Sequence, residues 1–156
     1  MRQDLIRQLE AFVPFNEQEK ADREILLEKL KNEPDVFLRS SLLYHMTASG
    51  WVTDPSRTKV VMAYHRIYDS WAWLGGHADG EEDLLSVALR EVNEESGLKA
   101  RPVREDIFSV EAVTVNGHVK RGAYVPSHVH LNVTYLLEAD PEQDLRMKED
   151  ENAGVA

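Results

Sequence analysis

Residues 75–98 read GGHADGEEDLLSVALREVNEESGL, a run holding seven acidic residues and one arginine between two glycine turns. Leu85, Ala88, Leu89 and Val92 recur at the three- and four-residue intervals of a single apolar helical stripe. The spacing predicts a helix from about Asp83 to Ser96, ended by Gly97 in the position where a left-handed residue is commonly needed. Glu91, Glu94 and Glu95 stand at i, i+3 and i+4, so they share a neighbouring face and repel one another. Arg90 alone does not neutralise them, and a further positive charge is expected there. Hard oxygen donors gathered around one point suit Mg2+ or Mn2+ better than Zn2+. Glu81, Glu82 and Asp83, taken alone, need no such partner, because acids in a first turn suit the helix dipole.

Gly76, five residues, Glu82, seven residues, then Arg90-Glu91-Val92-Asn93-Glu94-Glu95-Ser96-Gly97-Leu98 fill every fixed position of the Nudix box. On these residues the chain resembles the Nudix hydrolases. The resemblance implies an α+β Nudix fold, an α/β/α sandwich with a mixed sheet, over residues 40–156, with residues 1–39 as an N-terminal helical extension. It implies a divalent-metal-dependent pyrophosphohydrolase acting on a small nucleotide-derived diphosphate. By the same resemblance Glu91, Glu94, Glu95 and the Gly75 carbonyl ligate the metal, Glu82 pairs with Arg90 to orient the helix, and Gly76 and Gly80 shape the loop. Metal ions relieve the charge of a diphosphate and acidify a bound water. A glutamate then takes the proton, and the base lies either in the box or in a later loop.

Two features depart from the family pattern. Leu74 stands where many members have proline, with little chemical effect expected. Nudix domains normally continue through a further strand and helix, so the last residues, Glu149–Ala156, are expected to enter that strand, with the rest of the strand and its helix missing from the chain.

Composition sets the outer limits. With 156 residues, 42% of them hydrophobic, the chain buries one ordinary core. A formal net charge of −10 argues against non-specific nucleic-acid or anionic-membrane binding. The lack of cysteine excludes disulfides, thiolate chemistry and cysteine-based metal sites. Neither a targeting segment nor an apolar run of membrane length stands out, and a cytoplasmic location is expected.

Before the box, Leu5, Leu9 and Phe12 suggest a short helix ending near Pro14, and Asn16 with Glu19 resembles a capping box. A second helix is expected from Glu17 to about Lys31, with Ala21, Ile25, Leu26 and Leu30 inward. Packing on the domain flank is its expected role, with a homodimer contact or a wall of the substrate site as the alternatives. Strands are expected at Leu43–Val52, Lys59–His65, Ile107–Asn116 and Val129–Ala139, the last two separated by Gly117–Pro126. His128 and His130 alternate on a strand and point to one face, where they are candidates for substrate phosphate or metal. Tyr68 and Trp71 are candidates for stacking a base, whereas Trp73 is expected in the core. Glu111 reads as an exposed strand residue or an extra metal ligand, and Lys120, Arg121 and Tyr124 as contacts for the distal part of a substrate.

Two other function classes compete. An isomerase of the isopentenyl diphosphate type shares the fold but depends on a cysteine that is absent here. A non-catalytic nucleotide-binding regulator commonly has a degraded box, and this box is intact.

Overall fold

A computed structural model describes residues 1–66, 68–147 and 152–156. Helices α1 (Arg2–Ala11) and α2 (Glu17–Asn32) precede strands β1 (Tyr44–Thr53), β2 (Ala63–His65), β3 (Ser70–Ala72) and β4 (Leu74–His77). Helix α3 (Leu84–Ser96) follows, then β5 (Arg101–Val115), β6 (His118–Lys120), β7 (Ala123–Val125), β8 (His128–Glu138) and β9 (Asn152–Val155). The α+β class with a mixed sheet is as the sequence predicts. Among the described residues no helix is long and apolar enough to cross a membrane.

The main sheet has the order β4-β1-β8-β5, with β1 parallel to β8 and the other neighbours antiparallel. Alternation along β1 and β8 gives it two unlike faces. Met46, Ala48, Val52, Leu131, Val133 and Leu137 are buried on one face, which α3 covers. His45, Thr47, Ser49, His128, His130, Asn132 and Thr134 occupy the other.

Local chemistry sets the ends of the helices. The Glu19 N–H donates to Asn16 Oδ1 at 2.9 Å while Glu19 Oε1 accepts from the Phe15 N–H at 2.6 Å, a variant of the capping box in which the return bond goes to the residue before the cap. Asp83 caps α3 by accepting from the Ser86 N–H at 3.2 Å, and Gly97 ends it at φ 77°.

Several expected details change. On α2 the inward residues are Leu26, Leu27 and Leu30, while Ala21 and Ile25 are exposed. The helix is rotated because Glu19 and Asp22 reach the outer strand β5, where they accept from the N–H groups of Val110 (3.3 Å) and Ala112 (3.2 Å). On α3 the buried stripe is Leu84, Val87, Ala88 and Val92, with Leu85 and Leu89 half-buried. That rotation turns Glu91 and Glu95 towards β4.

The expected strand Lys59–His65 shortens to β2. Its first half stays with the end of β1 through a Val61 N–H to Val52 O bond, and the chain then crosses to a second sheet of order β3-β2-β9. β9 pairs antiparallel with β2, so the C-terminal residues 152–155 do form a strand, while Glu149–Glu151 lie outside the described residues. Between β5 and β8 the separator is a hairpin, β6-β7, turned by Arg121 (φ 53°) and Gly122 (φ 80°). Two positive φ values in a two-residue turn match the twist of the flanking strands.

Leu5, Leu9, Leu26 and Leu30 belong to the same apolar cluster as Met46, Val92 and Leu137. Leu26→Ala is expected to destabilise the whole chain by about 2–5 kcal/mol. A urea titration should show one transition at a lower midpoint; two transitions would mean that the helices melt by themselves.

Candidate functional site

The glycine pair expected in a loop lies in strand β4, where Gly75 and Gly76 pair with Ser49 and Ala48. Backbone crowding demands glycine at Gly75, and glycine at Gly76 leaves the place of a side chain to the Glu91 carboxylate. A Cβ on Gly75 would stand 2.3 Å from Ser49 Oγ, and one on Gly76 would stand 2.3 Å from Glu91 Cδ. The turn proper follows, with Asp79 at φ 49° and Gly80 at φ 91°. Arg39 holds it by a fork of two bonds to Asp79, at 2.7 and 2.8 Å.

Beyond the turn α3 carries its glutamates along β4. Glu95 is buried, and its Oε1 accepts from the Gly75 N–H at 3.1 Å. Glu91 is buried against Gly76, and Glu94 is exposed. Arg90 lies along the same side, 3.6 Å from Glu91 Oε1 and 4.0 Å from Glu94 Oε1, and its Nη2 donates to the His77 carbonyl at 3.3 Å. The expected Glu82–Arg90 pair gives way to a different one. Glu82 lies beside α1, accepting from the Arg2 backbone N–H at 3.1 Å, with Arg2 Nη2 3.5 Å from its other oxygen. The start of α1 brings Arg2 to Glu82.

The polar sheet face is organised around Asn132. Its Oδ1 accepts from Thr47 Oγ1 at 2.8 Å and Ser49 Oγ at 3.0 Å, and its Nδ2 donates to Glu111 Oε2 at 2.8 Å and Thr134 Oγ1 at 3.1 Å. Glu111 is further bonded by Thr134 Oγ1 at 3.0 Å and by Ser109. Burial raises its pKa, and the bonds from Ser109, Asn132 and Thr134 oppose that rise. Glu111 is thus neither an exposed strand residue nor a ligand facing the glutamates; it anchors an amide.

At the other end of this face four histidines converge. His45 and His130 are partners across β1 and β8, His128 lies two residues before His130, and His77 adds the edge of β4. Ring centroids in this group stand 4.9–5.2 Å apart for the contacting pairs. Burial lowers the pKa of His77 to about 3, helped by the Arg39 charge, and that of His130 to about 2, helped by His77. His45 is lowered by burial as well. The imidazoles of His45, His77 and His130 are neutral at physiological pH.

A cavity of about 880 Å³ joins the two groups. Gly75, Arg90, Glu91, Glu94 and Glu95 line it together with His45, His128 and His130. Tyr68, Trp71 and Trp73 form an aromatic wall, and Lys120 and Tyr124 of the hairpin another. Trp73, expected in the core, is 36% exposed and faces this space. Glu82 and Glu111 do not line it. His45 and Asn132, whose sequence signal is polar alternation along β1 and β8, and His77, at the end of β4, join the site without a local motif to mark them.

The carboxylates fit a hard divalent ion. They supply oxygen donors only, and the missing Cβ of Gly76 leaves room for the Glu91 carboxylate.

A family model described as the NUDIX domain matches residues 43–156. The m7GpppN-mRNA hydrolase NUDT17 of Xenopus laevis is 35% identical over 79 residues, which make up 51% of this chain and 26% of that protein. The chain thus spans about a quarter of that relative's length. A NUDIX-family hydrolase from Clostridium perfringens superposes with a TM-score of 0.51 at 19% identity, covering 72% of this chain and 79% of the other, a likeness of fold.

Asn132→Ala leaves Glu111 and the Thr47 and Ser49 hydroxyls short of a partner. It is expected to cost about 1–3 kcal/mol, measured by chemical denaturation.

Proposed function

The chain belongs to the NUDIX family, and on that premise we propose that it hydrolyses a diphosphate linkage in a nucleoside diphosphate derivative with the help of a divalent ion. The observation that carries this reading is the meeting of Glu91, Glu94 and Glu95 with Gly75 and Gly76 at the wall of a cavity that also presents aromatic and basic side chains. The cavity is large enough for a small nucleotide-derived ligand. Trp71, Tyr68 and Tyr124 offer faces for a base, and Lys120 offers a charge for a phosphate. The description of the Xenopus relative as an mRNA cap hydrolase favours the same substrate class.

Glu91, Glu94 and Glu95, with the Gly75 carbonyl, are the residues that would hold Mg2+ or Mn2+. Such an ion, when bound, neutralises diphosphate charge and acidifies water. The chain's own residues do the rest. Glu95 is held in place by the Gly75 N–H, so its carboxylate is oriented before substrate arrives. Arg90 lies beside Glu91 and Glu94 and reduces their mutual repulsion. A glutamate accepts the proton of the attacking water; the new P–O bond forms as the anhydride P–O bond breaks, and the phosphate released carries the electron pair.

Glu94 is exposed, so its replacement should spare the fold. Glu94→Gln is expected to lower Mg2+-dependent turnover by at least about tenfold, the smallest loss typical even of an outer partner of a metal site, with the melting temperature unchanged. The assay is product release from a panel of nucleoside triphosphates, ADP-ribose, NADH, dinucleoside polyphosphates and CoA. Full activity in the variant would sink the assignment. Gly76→Ala, whose methyl group displaces the Glu91 carboxylate, is expected to lose activity on the same panel, and EDTA should abolish turnover of the unaltered protein until Mg2+ is restored.

A further inference from the structure

The three histidines His45, His128 and His130 each offer a ring nitrogen, and these atoms lie within 4.8 Å of one another. Their orientation is fixed from behind. His128 Nδ1 lies 2.8 Å from the Pro126 carbonyl and His45 Nδ1 lies 3.0 Å from the Ser41 carbonyl. A carbonyl only accepts, so both rings carry a proton on Nδ1, and in the neutral imidazole this leaves Nε2 as the acceptor. His130 Nε2 lies 3.1 Å from His128 Nε2 and can donate to it. His45 Nε2 is buried and has no hydrogen-bond partner. The cluster therefore holds more inward lone pairs than protons, an arrangement that costs stability unless a cation sits among them.

Backbone carbonyls bound to Nδ1 are the usual outer support of histidine metal ligands. The ring spacing agrees as well, and the nitrogens, spread over as much as 4.8 Å, would draw together on an ion. Three imidazoles bound through Nε2 at about 2.1 Å to one tetrahedral ion place their ring centroids about 5 Å apart. The centroids here are separated by 4.9 Å (His45–His128), 5.1 Å (His45–His130) and 5.0 Å (His128–His130). All three rings line the cavity, so the fourth position of such an ion faces the space where a ligand enters.

We propose that His45, His128 and His130 form a second metal site, distinct from the glutamates, for a divalent ion of the zinc class with its fourth position open to the cavity. Three imidazoles select a borderline-soft ion, whereas the carboxylates of α3 suit a hard one. One cavity thus sorts two metals by donor type. The open position takes a water or an oxygen of the ligand bound there. The site stands on its own geometry and does not depend on the hydrolase reading.

The test uses the tag-free full chain in excess Mg2+, titrated with Co2+ as a spectroscopic probe. One equivalent is expected to bind with the intense visible bands of a tetrahedral nitrogen-ligated ion, and Zn2+ should displace it. Half-buried His130 is the first residue to replace: His130→Asn is expected to weaken Co2+ binding at least about tenfold, while Glu94→Gln keeps the bands. X-ray absorption of the Zn2+-loaded unaltered protein checks the ligands without any substitution and should show imidazole scattering from three rings. Absent bands, an oxygen-only shell, or bands lost in Glu94→Gln but kept in His130→Asn would each overturn the site. A protein with the expected bands and no hydrolytic activity on any substrate would refute the hydrolase reading and leave this one standing.

Discussion

Helix α3 and the β1–β4 strand pair approach each other so closely that side chains are excluded at the contact. Added Cβ atoms would fall 2.8 Å from Val92 Cγ2 at Gly50 and 2.3 Å from Glu91 Cδ at Gly76. Close-packed interiors leave no slack for such atoms. Because the strand backbone comes this near the side chains of α3, Glu91 packs onto Gly76 at the edge of β4, and Glu95 accepts from the Gly75 N–H. The apolar stripe of α3 and its acidic stripe are two consequences of one approach: Val92 presses on the sheet while Glu91, one residue before, wraps its rim.

The two faces of the sheet follow from a parallel register. Pairing β1 with β8 sets His45 beside His130, Thr47 beside Asn132 and Ser49 beside Thr134. A shift by one residue would place the imidazoles under α3 and Met46 in the cavity. The hydroxyls and the amide then satisfy one another without water, which fixes the floor of the cavity as rigidly as its apolar underside. Chemistry is thus confined to one side, with the glutamates and histidines at separate stations along it.

What the sequence discloses is local. The cap at Asn16 and the stop at Gly97 are readable because each is decided within four residues, and the glutamate spacing is readable because a helix repeats. The alternation of His128 and His130 is legible too, yet nothing local states that positions 45 and 130 meet, since the pairing spans the whole intervening fold. Gly75 and Gly76 look like turn residues by composition; only the proximity of Ser49 and Glu91 reveals that they are strand residues kept bare for clearance. Likewise Glu82 has two arginines within the chain's reach, and the packing of α1 decides for Arg2.

The outer strand β5 is finished by side chains. Glu19 and Asp22 of α2 accept from the N–H groups of Val110 and Ala112, positions at which another strand would otherwise hydrogen-bond. Carboxylates imitate a neighbouring backbone without offering a new edge of their own. The N-terminal helices therefore act as a terminator for sheet growth: they convert an open ladder into a closed boundary and deny that rim to any stray strand from a second molecule.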